Sequence, residues 1–228
     1  MRGAGYEYIV SNSPDVRGID VALLYSPLTV KIICTDFIRV KTLPDMRPTR
    51  DILYAKAVYS SADTIHVFGV HAPSRTGGER ATREFRMQVA RTLTSKTDSI
   101  LAEDPDARII VAGDFNDYCD SPSVEYITAH GLTDVSANVE GIHRDKANAK
   151  HPLARATYRY RGEWNSLDHI FLSHSMRTND VDCFVNDNPM LLEEDEKYGG
   201  YMPRRFVKGV VRRNGFSDHL PLVCRIRM

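Results

Sequence analysis

The chain has 228 residues, enough for one domain or one large sandwich with a sizeable core. Apolar residues make up 42% and charged residues 26%, with 30 Lys plus Arg balanced by 30 Asp plus Glu. That balance excludes a protein that coats nucleic acid by bulk charge, while leaving room for a local basic groove. No run approaches the ~20 apolar residues of a membrane span, no signal peptide is visible, and localisation is left open.

In chain order, strand-like runs rich in β-branched and aromatic residues fall at 6–10, 19–25, 30–40, 52–59 and 65–71. A helix is predicted over 80–101, because Phe85, Val89, Leu93, Thr97 and Ile100 recur at helical spacing, with Arg83, Arg86, Arg91 and Lys96 on other faces. Glu79 falls in its first turn, where a carboxylate suits the positive end of the helix dipole. The next strand, 108–113, contains Ile109-Ile110-Val111-Ala112, whose lack of polar alternation predicts burial on both faces. A shorter helix is predicted over 122–130, with Ser121 as N-cap and Gly131 closing it. Charged loops follow at 141–152 and 189–215, around strands at 156–160, 167–172, 181–185 and 220–226. The second loop carries Arg204, Arg205, Phe206, Arg212 and Arg213, a composition able to hold an anionic substrate against a cleft. Many strands with few helices predict a two-sheet α/β sandwich rather than a doubly wound sheet. Cys34, Cys119, Cys183 and Cys224 are widely spaced without a Cys-x-x-Cys pair, so neither zinc nor a disulfide framework is implied; Cys34 and Cys224 read as buried thiols.

Four polar clusters end or follow apolar runs: His71-Ala72-Pro73-Ser74-Arg75, Gly113-Asp114-Phe115-Asn116, Ser166-Leu167-Asp168-His169 and Gly215-Phe216-Ser217-Asp218-His219. A carboxylate or imidazole at the end of a buried strand projects into a cleft. Hydrolysing a phosphate ester requires charge neutralisation, a nucleophile made near neutral pH and a proton for the leaving oxygen. Asp168 can fix the tautomer of His219 and so leave its other nitrogen free to take a proton from water. Asp218 offers a hard oxygen to Mg²⁺. Asp114 and Asn116, two apart beyond a buried strand, can face one side; an Asx-turn explains the same pair. His71 can donate to a phosphate oxygen. Arg47, Arg50 and Arg75 are candidate phosphate clamps, each balanced against a solvated surface charge. Trp164 is a candidate stacking surface for a base or sugar, balanced against a core role.

These motifs, in this order, resemble the endonuclease/exonuclease/phosphatase superfamily with the DNase I-like fold. The segments Arg17 to Tyr25, Arg75 to Glu79 and Gly162 to Asn165 look like one bacterial branch of it. The resemblance covers nearly the whole chain, from about Tyr6 to Ile226, read as a single domain spanning 1–228. It implies two packed sheets with helices outside, a Mg²⁺ or Mn²⁺ cofactor and a phosphate-ester substrate. Nucleic acid is the leading substrate, and a small or lipid-linked phosphate is the competitor. It also implies that Asp114 orients the nucleophile or protonates the leaving group and that Asn116 serves the transition-state oxygens. In the family, a strand ending in Asn and a later strand bearing Glu precede the part matching Tyr6 onward, and both residues help hold the metal. Nothing from Met1 to Val10 fills either role, which leads to the expectation of an N-terminally truncated domain that holds its metal weakly and has little activity alone. An uncovered sheet edge inviting self-association follows from the same reading. The alternative function is a non-catalytic phosphate-binding or interaction fragment.

Overall fold

The computed structural model describes residues 5–59, 63–137, 156–176, 180–208 and 211–227; the loop expected at 141–152 lies outside them. β1 (Glu7–Val10) and β2 (Ala22–Tyr25) form an antiparallel hairpin. β3 (Val30–Ile38), β4 (Ile52–Tyr59) and β5 (Asp63–His71) then run antiparallel in succession. Helix α1 (Glu79–Glu103) crosses over, so β6 (Arg108–Asp114) lies parallel to β5. After α2 (Pro122–Ala129) and the short β7 (Leu132–Asp134) comes a hairpin of β8 (Tyr158–Tyr160) and β9 (Glu163–Asn165). β10 (Asp168–Ser173) inserts between β6 and β7, completing a six-stranded mixed sheet of order β3-β4-β5-β6-β10-β7.

The C-terminal part is built of smaller pieces. β11 (Val181–Val185) is followed by two hairpins, β12 (Leu192–Glu194) with β13 (Tyr201–Pro203) and β14 (Val207–Lys208) with β15 (Val211–Arg212). β16 (Leu222–Ile226) returns to pair with β11. The segment expected as one long loop therefore carries two hairpins. Their strands are too short for an alternating pattern to show, and long-range bonds hold the first of them: the buried Arg159 guanidinium donates to the carbonyls of Tyr201 and Gly199.

One face of the six-stranded sheet meets both helices. Phe68, Ile109, Val111 and Phe171 from the strands pack against Val89, Leu93, Val124 and Ile127. The other face is covered in pieces. Val21, Ile9 and Leu23 lie over Leu53 and Ala55, while β11 and β16 place Val181, Leu222 and Cys224 over Ile170 and Leu172. Between these covers Ile110 and Ala112 are only half-buried, so β6 is not sealed on both faces as its sequence predicts. Among the described residues β2 pairs only with β1, and β16 only with β11. Tyr8, Val10 and Leu24 stay exposed. This layered arrangement is the DNase I-like α/β sandwich. No helix among the described residues is long and apolar enough to cross a membrane.

Candidate active site

Three neighbouring strands deliver three site residues to one level. In the parallel pair His71 lies opposite Asp114, and in the antiparallel pair Asp168 lies opposite Asp114. Pairing continues just past the strands, with Ala72 N donating to Asp114 O at 2.8 Å and Phe115 N to Leu167 O at 2.9 Å. Gly113 is required here: its φ is 153°, and a Cβ would run into the carbonyl of Val70.

The turn after β6 is the Asx arrangement and a site feature at once. Asn116 N donates to Asp114 Oδ1 at 2.8 Å, Asn116 Nδ2 to Asp114 Oδ2 at 3.0 Å and to Ala72 O at 3.1 Å. Asn116 has φ 52°, a left-handed conformation that asparagine tolerates. Beneath it Asp117 is buried and pairs with Arg86 Nε at 2.6 Å, while accepting from Ser123 Oγ at 2.6 Å. His169 meets Asp117 O at 2.9 Å and Asp134 Oδ2 at 2.7 Å, both with ring nitrogens, which makes it an internal brace. Arg86, expected off the apolar face of the helix, is thus fully enclosed and ties α1 to the site loop.

His219 arrives from outside the sheet. Its Nδ1 meets Asp168 Oδ2 at 2.7 Å, an oxygen that also accepts from Thr157 Oγ1. The ring stacks on Tyr158 with centroids 4.7 Å apart, and Leu220 N donates to Thr157 O at 2.7 Å. Asp114 Oδ2 therefore has His71 Nε2 at 3.6 Å on one side and His219 Nε2 at 3.9 Å on the other.

Burial, followed by the Asp168 charge, raises Asp114 to about 6. Burial, followed by the guanidiniums of Arg50 and Arg17, lowers His71 to about 4. Burial also pulls His219 down, but its hydrogen bond to Asp168 and the charges of Asp168, Asp114 and Asp218 outweigh it, to about 9. Near neutral pH one histidine is neutral, the other is an imidazolium, and the carboxyl between them titrates close by.

These groups line a cleft of about 800 Å³. His71, Asp114, Asn116, Asp168, Asp218 and His219 all face it, as does Arg75, whose guanidinium lies 4.5 Å over the Tyr118 ring. Three expected residues do not. Arg47 is exposed away from the cleft. Arg50 is buried, pairs with Asp15 Oδ2 at 2.9 Å and donates to Ala72 O at 2.6 Å, so it braces the His71 turn rather than clamping phosphate. Trp164 is a core residue packed with Ala156, Leu192 and Leu220, since its strand turns the indole inward. Conversely, Arg17, Tyr118, Tyr158 and Asn165, none of them in the four polar clusters, line the cleft. Of these four, Arg17 and Asn165 have a signal in the sequence, lying in the family-like segments 17–25 and 162–165.

Among the described residues no three His, Cys, Asp or Glu side chains come together as cation ligands. Asp114 commits both oxygens to Asn116, and Asp168 Oδ2 serves Thr157 and His219. Asp218 presents an exposed carboxylate at the cleft. Glu79 and Glu163 also line the cleft. Such hard oxygens suit Mg²⁺ or Mn²⁺ in type, but among the described residues they are not gathered into a ligand set.

The family model described as Endonuclease/Exonuclease/phosphatase family matches residues 1–228, and the chain belongs to that family. Members of this family are hydrolases of phosphate esters. Among curated proteins none matches by sequence. Solved structures with the same fold include the human Nocturnin catalytic domain with bound sulfate, at 17% identity and TM-score 0.57 over 80% of this chain and 64% of that one. The mannosyl-6-phosphatase Bt3783 of Bacteroides thetaiotaomicron aligns at 15% identity and TM-score 0.63, covering 99% of this chain and 78% of its own. D. rerio TDP2 complexed with a single-strand DNA product aligns at 21% identity and TM-score 0.58, with 98% and 77% covered. The chain thus spans less than two thirds of the Nocturnin domain and more than three quarters of the other two.

Proposed function

We propose that this single domain hydrolyses a phosphate ester at the His71–Asp114–Asp168–His219 cleft. The observation that carries the reading is the convergence of these residues, from four separate segments, around one carboxylate in one cavity. His219, oriented by Asp168, holds a proton at Nε2 near neutral pH and supplies positive charge to a phosphate; once deprotonated it can take a proton from water. Asp114, titrating near 6, can carry a proton at the leaving oxygen. His71 is placed to donate to a phosphate oxygen and Arg75 to hold the ester from the cleft wall, while Asn116, whose amide hydrogens already reach Asp114 Oδ2 and Ala72 O, holds the Asp114 carboxylate in place. Asp218 is the residue that would hold Mg²⁺ or Mn²⁺, which when bound supplies charge neutralisation and a more acidic water. With no cluster of ligands gathered around it among the described residues, binding is weak.

A polynucleotide is the leading substrate. Arg205 lies 5.7 Å over the Tyr158 ring beside His219, in a segment that also bears Arg204 and Arg212. The test is turnover of a chromogenic phosphodiester and of single-stranded DNA with Mn²⁺ across a salt series. Activity on DNA that falls with salt, and is lost when Arg204, Arg205, Arg212 and Arg213 are replaced together, supports a nuclease. Equal turnover of both substrates in high salt would favour a small or lipid-linked phosphate. A second reading, a non-catalytic phosphate-binding fragment, rests on the short ligand set. Calorimetric titration with Mg²⁺ separates the two: heat that disappears in Asp218→Ala supports a working cation site, and none in either form supports the second reading. Exposed Tyr8, Val10 and Leu24 beside the open edge of β2 support self-pairing, which sedimentation of the purified chain tests.

A further inference from the structure

Cys183 and Cys224 lie far apart in sequence and directly opposite one another in the β11–β16 ladder. The type of pair they form follows from the backbone bonds around it. Asn186 N donates to Pro221 O and Arg227 N to Asp180 O, so the hydrogen-bonded positions of this ladder are 186/221, 184/223, 182/225 and 180/227. Alternation makes 183/224 a non-hydrogen-bonded pair, in which Cα atoms approach to about 4.5 Å and side chains share a face. That separation falls within the roughly 4.4–6.8 Å that a disulfide spans. The shared face looks inward, where Cys224 packs with Ile170, Leu172 and Met176, yet both cysteines remain partly accessible. The other two cysteines have no such partner: Cys34 faces Lys56 across its ladder, and Cys119 lies in a turn after β6.

We infer that Cys183 and Cys224 are a cross-linking site, oxidised to a disulfide between β11 and β16 by exchange with a low-molecular-weight disulfide such as oxidised glutathione. One cysteine thiolate attacks a sulfur of the external disulfide and expels one external thiolate, which takes up a proton. The second cysteine, deprotonated in turn, attacks its partner's sulfur in the mixed disulfide and expels the other external thiolate. Two S–H bonds and the external S–S bond are lost, the Cys183–Cys224 bond forms, and two external thiols leave with the electron pair. The ring so closed contains roughly 40 residues, including both hairpins and the Asp218–His219 pair. Oxidation therefore restrains the piecewise-built wall of the cleft and leaves the six-stranded sheet untouched.

The experiment incubates the purified chain in oxidised or reduced glutathione at about pH 8.5, because burial holds both thiols above their ordinary range and slows exchange at neutral pH. The remaining thiols are then alkylated and the peptides mapped. The expected result is a Cys183–Cys224 cross-linked peptide, two fewer alkylatable thiols and a Tm raised by roughly 5–10 °C. The same should hold in a Cys34→Ser/Cys119→Ser variant, while Cys183→Ser should lose both the cross-link and the shift. Should Cys183→Ser fail to fold, the peptide map of the unaltered chain decides alone. Mixed glutathione adducts without an internal cross-link, or a cross-link running to Cys34 or Cys119, would overturn the assignment.

Discussion

His71 and His219 approach the same Asp114 carboxylate from opposite walls of the cleft, yet one is held neutral and the other charged. The wall that carries His71 is the end of a continuous sheet, fixed by ladder bonds on both sides of β6 and by Arg50 and Arg86 beneath the turns. The wall that carries His219 consists of short hairpins and a connection, held by the Asp168 bond, the Tyr158 stack and one backbone bond from Leu220. Burial, then the charges of buried Arg50 and of Arg17 at the cleft, push His71 toward neutrality, whereas the carboxylates of Asp168, Asp114 and Asp218 hold His219 charged. On the proposed function the walls divide the labour: the sheet sets the geometry around Asp114, and the appended wall brings the charged imidazole of His219 to it.

The sharpest way to break this division is to remove the chemistry from one wall without disturbing the other. His219→Ala should lower kcat on a chromogenic phosphodiester by about 10²–10⁴-fold, the usual worth of a positioned acid–base group, while the fold persists. Steady-state kinetics with circular dichroism checks this; a loss below tenfold would remove His219 from the reaction. The converse is Arg86→Met, in which buried Asp117 loses its cationic partner. Removing one member of such a pair destabilises by about 3–5 kcal/mol, and urea unfolding should read that loss. An unchanged midpoint would mean that the site loop does not depend on α1.

The charge states give a third measurement, on stability. His219 is raised from its ordinary 6.5 to about 9, so its contribution is fully present below pH 6.5 and disappears as pH rises through about 9. The amount is on the order of 3 kcal/mol. His71 has the opposite sign: depressed to about 4, it leaves stability intact above 6.5 and removes it as pH falls toward 4. Urea midpoints of the parent chain should therefore decline between pH 6.5 and 9, and those of His219→Ala should lack that decline. A parallel decline in both chains would assign it to other groups.

What the sequence reveals of this molecule follows the same two walls. His71, Asp114, Asn116 and Asp168 are legible because each ends or follows a run whose apolar, β-branched character announces a strand, and local chemistry, Gly113 and the Asx-turn, fixes the direction of the side chain. The β5–α1–β6 crossover is legible from the period of Phe85, Val89 and Leu93. Arg86 and Trp164 mislead because their fate depends on partners far along the chain: Asp117 for one, Leu192 and Leu220 for the other. The β12–β13 hairpin is invisible for a related reason, being anchored by Arg159 from another segment. The Cys183–Cys224 pairing likewise exists only in the ladder.

The smallest effect separates two arginines that read alike in sequence. Arg75 lies on the cleft wall, stacked over Tyr118 and donating to its hydroxyl at 3.3 Å, whereas Arg47 is exposed away from the cleft. A guanidinium in the cleft offers two parallel donors to a phosphate, but it does so equally in ground and transition states unless it meets the reacting oxygens. Arg75→Ala should therefore raise KM several-fold with little change in kcat, since Tyr118 and Glu79 remain to shape the pocket. Arg47→Ala should leave KM and kcat unchanged and move stability by less than about 0.5 kcal/mol, as surface substitutions generally do. If instead Arg47→Ala raised KM as much as Arg75→Ala, the substrate would have to extend well beyond the cleft across the β3–β4 connection. A long polynucleotide does that and a small ester does not, so the Arg47 result also bears on which substrate the appended wall receives.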